Sequence, residues 1–226
     1  MISARAIEKP IKVGELISQR LGELERTPEE LAEAVDVPCG YIEDLISGKR
    51  RPPRPARTDV YERMTTFLRL ARNDLAMCAN AEREAEGPVT VRLPKPAVRR
   101  MLLDLCEPET AQELERGSGK EANSRLADYC QRILDRAQAV VRRRMLADPT
   151  ALRLSAQQSN ETRLAMRMQI LDFLDAASDT LTPNHLKRFI QPWVAAWDVD
   201  FETGVLRIVM HGHDHHMQRP SAPSRL

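Results

Sequence analysis

The chain has 226 residues, with 34 Lys and Arg against 33 Asp and Glu, so bulk attraction to nucleic acid is excluded and any such contact must come from local clusters. Aromatic residues make up 4% of the chain while 42% is hydrophobic, which leaves Leu, Ala, Val, Ile and Met to build the core and favours helices over a β-sandwich. No apolar run approaches the ~20 residues of a membrane helix, and the N-terminus lacks a signal-peptide core, so a soluble cytoplasmic protein is expected. Cys39, Cys78, Cys106 and Cys130 are scattered without a C-x-x-C pair and read as free thiols.

Residues 1–12 form a lead-in arm carrying Arg5, Lys9 and Lys12. Val13 to Glu25 then predicts a helix, because Val13, Leu16, Ile17, Leu21 and Leu24 share one face. Thr27, Pro28 and Glu30 make a capping box with proline at the first helical position, and Leu31, Ala32 and Val35 give the helix that follows an apolar stripe. Asp36-Val37-Pro38 interrupts the pattern before Tyr41, Ile42, Leu45 and Ile46 resume it, and Ser47-Gly48 ends it where glycine can turn left-handed. Cys39 falls in the first turn of this second helix, where the helix dipole would lower a thiol pKa. Lys49, Arg50, Arg51, Arg54 and Arg57 follow, interleaved with Pro52, Pro53 and Pro55, which should hold the segment extended with its cations outward.

The run Glu30-Leu31-Ala32-Glu33-Ala34, then Val37, Tyr41-Ile42 and Gly48-Lys49-Arg50-Arg51-Pro52, resembles the helix-turn-helix of the phage lambda/434 repressor and Cro class, the XRE family. The resemblance covers residues 13 to 70. It implies a second helix in the DNA major groove and a following segment along the phosphate backbone. Carried onto this chain, Thr27, Cys39, Gly40, Tyr41, Glu43 and Asp44 would face or flank the groove, and Lys49, Arg50, Arg51, Arg54 and Arg57 would hold phosphates. Members of that family commonly read bases with Gln, Ser, Asn or Arg at the start of the second helix. This chain has Pro38, Cys39 and Gly40 there, with Glu43 and Asp44 on the face, and carboxylates meet phosphates unfavourably although they can accept from cytosine. A protein-binding adaptor or anti-activator that keeps the fold without sequence-specific DNA binding is therefore the alternative reading.

Thr58 and Asp59 are candidate caps for a helix through Val60, Met64, Phe67, Leu68, Ala71 and Leu75. This closes an expected DNA-binding domain over residues 1–86. A linker, 87–96, opens at Gly87-Pro88 and includes Val89 to Leu93, a short strand or extended run. Residues 97–210 are expected to form a helical dimerisation or sensor domain. Ala97 to Cys106 and Pro108 to Arg116 read as helices, and the intervening Gly117-Ser118-Gly119-Lys120 lacks the preceding strand and following Ser or Thr of a nucleotide-binding loop.

Ala122 to Leu146 predicts the longest helix. Leu126, Cys130, Ile133, Ala137 and Val140 are spaced as a coiled-coil seam, which fits either a homodimer interface or an internal core. Asn160 is a candidate cap for a helix with Leu164, Met168, Leu171 and Leu174, and Thr182-Pro183 starts another with Leu186, Phe189, Ile190 and Trp193. Trp197, Val199 and Phe201 alternate with Asp198, Asp200 and Glu202, Thr203-Gly204 makes a turn, and Val205 to Met210 is β-rich: a hairpin.

Residues 211–226 read as a His-rich tail, in which His211, His213, His215 and His216 would suit a divalent transition metal, bound adventitiously or as a regulatory site; no cofactor is required. No catalytic motif is present, so an enzyme is not expected. The sequence thus predicts a mostly α protein, an N-terminal lambda-repressor-like bundle followed by a helical domain ending in a β-hairpin. It would act as a dimeric transcriptional regulator of repressor type, with double-stranded DNA as partner and a possible small-molecule or protein effector.

Overall fold

The computed structural model describes residues 12–85, 87, 91–117 and 119–211. In chain order the helices are α1 (Val13–Glu23), α2 (Pro28–Val35), α3 (Cys39–Ile46), α4 (Val60–Phe67), α5 (Asp74–Ala85), α6 (Pro96–Leu103), α7 (Pro108–Arg116) and α8 (Lys120–Val141). They continue with α9 (Pro149–Gln158), α10 (Arg163–Asp175) and the single turn α11 (Pro183–His185), and the chain closes with strands β1 (Val194–Asp200) and β2 (Val205–Met210). Short π-helical stretches follow α8 at Arg142–Leu146 and α11 at Leu186–Ile190. The protein is mostly helical with a small C-terminal hairpin, and none of the described helices is long and apolar enough to cross a membrane.

The chain divides into two units, Met1–Val89 with Arg142–Asp175, and Thr90–Val141 with Ala176–Leu226. The boundary near residue 89 falls inside the expected linker. The second boundary corrects the sequence reading, which placed all of 97–210 in one domain: residues 142–175 leave it and complete the first unit. The physical reason lies in α10, which buries Met166, Ile170, Leu171, Phe173 and Leu174 and also the guanidinium of Arg167, whose hydrogen-bond partners all lie in the N-terminal part of the chain.

In the first unit α1 crosses α3 at Gly14, where a Cβ would lie 2.4 Å from the Leu45 carbonyl oxygen; only glycine allows that approach. Thr27 caps α2 as its sequence predicts. Its hydroxyl accepts from the Glu30 N–H at 3.3 Å and the Glu30 carboxylate accepts from the Thr27 N–H at 2.9 Å, satisfying both ends of the box. Asp36, at φ 64, closes α2 in the left-handed conformation and opens the turn into α3. The core is Val13, Ile17, Leu31, Val35, Ile42, Val60, Met64, Leu68 and Leu75, all fully buried.

Two local expectations change here. The helix predicted from Val60 through Leu75 breaks after Phe67, because Arg69 and Asn73 take positive φ angles of 51 and 76; Asp74 then accepts from the Ala71 N–H and starts α5. Thr162, rather than Asn160, caps α10, its hydroxyl accepting from the Ala165 N–H at 3.1 Å, while Asn160 sits at φ 53 just past α9.

The second unit is built on α8, which packs against the segments 178–180 and 186–190. Leu126, Cys130, Ile133 and Ala137 are buried in this core and Val140 is half-buried. Of the two readings open for this seam, the internal core holds for Leu126, Cys130, Ile133 and Ala137, with Val140 at its margin, and the buried Leu186, Phe189 and Ile190 come from the segment that covers the helix.

The hairpin pairs Trp197 with Ile208 and Asp200 with Val205. Its turn is closed by Gly204 at φ 68 and by the Asp200 carboxylate, which accepts from the N–H groups of Glu202 and Thr203. Trp197 is fully buried, donates from Nε1 to the Leu102 carbonyl at 2.7 Å, and exchanges backbone hydrogen bonds with Leu105 and Glu107. Leucine and tryptophan burial of this kind, each worth about 1.5–3 kcal/mol or more, fixes the hairpin to the helices. The described part of the linker is tied down as well, since the Ser178 hydroxyl donates to the Arg92 carbonyl.

Candidate functional site

The α2–α3 pair buries Leu31, Ala32, Val35, Val37, Tyr41, Ile42 and Leu45. Helical spacing then decides what remains outside. Thr27 and Glu29 at the start of α2, and Gly40, Glu43 and Ser47 along α3, are exposed, with Cys39 and Asp44 half-exposed beside them. Lys49 and Arg51 follow, both exposed, while Arg50, Arg54 and Arg57 are half-buried.

Tyr41 does not face a groove. It is 4% exposed, because it belongs to the same apolar stripe as Ile42 and Leu45, and burial pushes its hydroxyl pKa well up. Its ring instead supports the Arg50 guanidinium, centred 4.8 Å away, a cation–π arrangement.

Nor does the segment after Gly48 stand away from the helices. Pro52 and Pro53 are buried, the Tyr61 hydroxyl donates to the Pro53 carbonyl at 2.7 Å, and Arg83 donates from Nε to the Pro52 carbonyl at 2.7 Å. Proline removes donors but leaves carbonyls, and those carbonyls are what α4 and α5 grip. Arg50 donates to Asp172 at 2.9 Å. The Arg54 backbone N–H donates to Asp175 at 3.2 Å, and Arg83 Nη2 donates to the same carboxylate oxygen at 2.5 Å. Of the expected cations, Lys49 and Arg51 keep the outward placement that the sequence predicts for all.

The turn between α2 and α3 is held from one side by α10. Arg163 makes a bidentate pair with the Asp36 carboxylate. Arg167, 1% exposed, donates to the Asp36 carbonyl at 2.9 Å, the Val35 carbonyl at 3.3 Å and both Asp59 carboxylate oxygens at 2.9 and 3.1 Å. A guanidinium satisfied on this many sides is the form in which a buried charge is tolerated. Sequence reading missed Arg163, Arg167, Asp172 and Asp175, and one signal for them was present: Arg167 interrupts the apolar run Met166 to Leu174, and a cation set among core positions demands a buried partner.

Cys39 overturns the expected thiol activation. Its pKa is raised, first by burial and then by the charges of Glu29 and Glu43. The potential ligand atoms of Glu29, Cys39 and Glu43 lie within 4.8 Å of one another. At the other end of the chain His211 is exposed and its backbone N–H donates to the Trp193 carbonyl, while His213, His215 and His216 lie outside the described residues.

No family model, no curated protein and no solved structure matches the chain.

Proposed function

We propose that the chain is a DNA-binding transcriptional regulator in which α2 and α3 form the helix-turn-helix of an XRE-like, lambda-repressor-like domain. The observation that carries this reading is the outer edge of that pair: two short helices joined through left-handed Asp36, an exposed rim of Thr27, Gly40, Glu43 and Ser47, and Lys49 with Arg51 at the exit of the second helix. Lysine and arginine there would neutralise phosphates and set the register, and Glu43 or Asp44 would accept from cytosine in the groove. Two-fold pairing would double the footprint of one such helix, through surfaces other than the buried seam of α8. The second unit would supply that pairing.

A second reading is favoured by one specific feature. Glu29, Glu43 and Asp44 give the rim an acidic character that suits a basic protein partner, as in an adaptor that keeps the fold.

The test is a titration of labelled duplex from the protein's own upstream region, at two salt concentrations, with wild type and a Lys49→Ala, Arg51→Ala double variant. Binding that weakens with salt is expected, with the dependence shallower in the variant by about two released counterions. Absence of binding at low salt by wild type and by a variant lacking the Asp172 and Asp175 carboxylates would remove the regulator reading and leave the adaptor.

A further inference from the structure

The carboxylates of α10 hold the exit segment in the way a DNA backbone would. Asp175 receives the Arg54 backbone N–H and one N–H of the Arg83 guanidinium on the same oxygen, a backbone donor combined with a charged one, the kinds of donor that bind phosphate oxygens. The positive charges of Arg51 and Arg54 also bear on it. Asp172, one helical turn earlier, takes the Arg50 guanidinium that rests on Tyr41. We propose that the C-terminal turn of α10 is an internal competitor for the phosphate backbone: Asp172 and Asp175 occupy the cationic exit segment when DNA is absent and yield it when DNA binds. This rests on the DNA-binding reading and adds its regulation.

The two ends of α10 differ in how firmly they are held. Arg167 is sealed from solvent, whereas the Arg50–Asp172 pair is at the surface, its side chains 35% and 44% exposed, where ion pairs are weak and screened. The Arg83–Asp175 pair is more enclosed, its side chains 11% and 30% exposed, so it yields only to an anion that takes over the same donors, while the Arg50–Asp172 pair exchanges first. With the helix held by Arg163, Arg167 and the buried Phe173 and Leu174, the carboxylates of Asp172 and Asp175, about one and a half and two turns past Arg167, can give up their cations by side-chain rotation while α10 stays docked. Any ligand or partner that draws Asp172 and Asp175 away from the segment would raise DNA affinity by the same linkage.

The experiment compares the full-length wild type with Asp172→Asn, Asp175→Asn and their combination, binding the same duplex at two salt concentrations, with helicity and melting recorded for each. A control, Glu33→Gln with Glu84→Gln, alters net charge equally at exposed sites on α2 and α5. The expected result is an affinity gain of about tenfold in the double variant, a smaller gain for Asp172→Asn alone, and a steeper salt dependence, with little gain in the control. Duplex binding by the double variant where wild type has none also supports the proposal. Unchanged or weaker binding by Asp172→Asn and the double variant, beside a wild type that binds, overturns it and leaves the DNA reading intact, as does an equal gain in the control. Failure of every variant to bind at low salt overturns both.

Discussion

In the first unit, the side chains that tie the late segment to the early one are charged: Arg163 to Asp36, Arg167 to Asp59, Arg50 to Asp172 and Arg83 to Asp175. In the second, the corresponding ties are mostly apolar or neutral, the Thr110 hydroxyl donating to the Asp198 carboxylate being a charged exception. Trp197 is buried and donates to Leu102, Gln138 donates to the Ala176 carbonyl, Ser178 donates to Arg92, and Ile133, Leu134, Phe189 and Ile190 fill the interior. The difference teaches where adaptability resides. Apolar packing is lost only by opening the core, while a charged tie can pass from one anion to another without the helices coming apart. The unit that carries the candidate DNA surface is the one built with exchangeable ties.

The sharpest test of that contrast removes the buried cation. Arg167→Met leaves the Val35 and Asp36 carbonyls without its donors and Asp59 with Arg63 as its remaining ion-pair partner, and is expected to cost the first unit about 3 kcal/mol. Both tryptophans, Trp193 and Trp197, lie in the second unit. Circular dichroism should therefore show an early unfolding step that tryptophan fluorescence does not follow. Coincident shifts in the two signals would break the comparison by showing one cooperative molecule.

Ile133→Ala makes the reverse measurement. This residue is fully buried on α8, and its truncation should cost about 2–5 kcal/mol, moving the fluorescence transition to lower denaturant with little sensitivity to salt. A cost that grew with ionic strength would contradict the assignment of the second unit to apolar packing.

The smallest expected effect sharpens the account of the docking surface. Thr27→Ala removes one side of the capping box of α2 and should cost about 1 kcal/mol, read as a modest shift of the circular-dichroism midpoint. No measurable loss would mean that the α10 clamp on Asp36 alone determines how α2 is set.

Local signals in the sequence carried well where chemistry is settled between near neighbours. The Thr27 box, the proline starts at Pro28 and Pro183, and the alternation of Trp197 and Val199 up to the turn at Gly204 all describe interactions a few residues long, and the structure reproduces each. What did not carry was the identity of distant partners. A stripe such as Leu126, Cys130, Ile133 and Ala137 has the same spacing whether the covering surface is another chain or Phe189 and Ile190. The family resemblance puts Tyr41 at the groove, but its ring lies on the buried stripe. The basic segment after Gly48 showed its charges but not Asp172 and Asp175, which are more than a hundred residues downstream. The candidate site was thus readable as a helix pair with a basic exit, and unreadable in the clamp that holds it.

The first unit is interrupted by Thr90–Val141 and resumes with Arg142–Asp175. On the ribosome this imposes an order of events. The helix pair emerges early, yet Asp36 and Asp59 must wait for Arg163 and Arg167, by which time the whole of α8 has already been synthesised. A nascent chain stopped anywhere before residue 163 would present the basic exit segment without Asp172 and Asp175, and the early helices without the cation that seals them. Closing so long a loop is slow. Translation speed through α8 and α9 therefore sets how long the incomplete first unit is exposed to proteases and to nucleic acid.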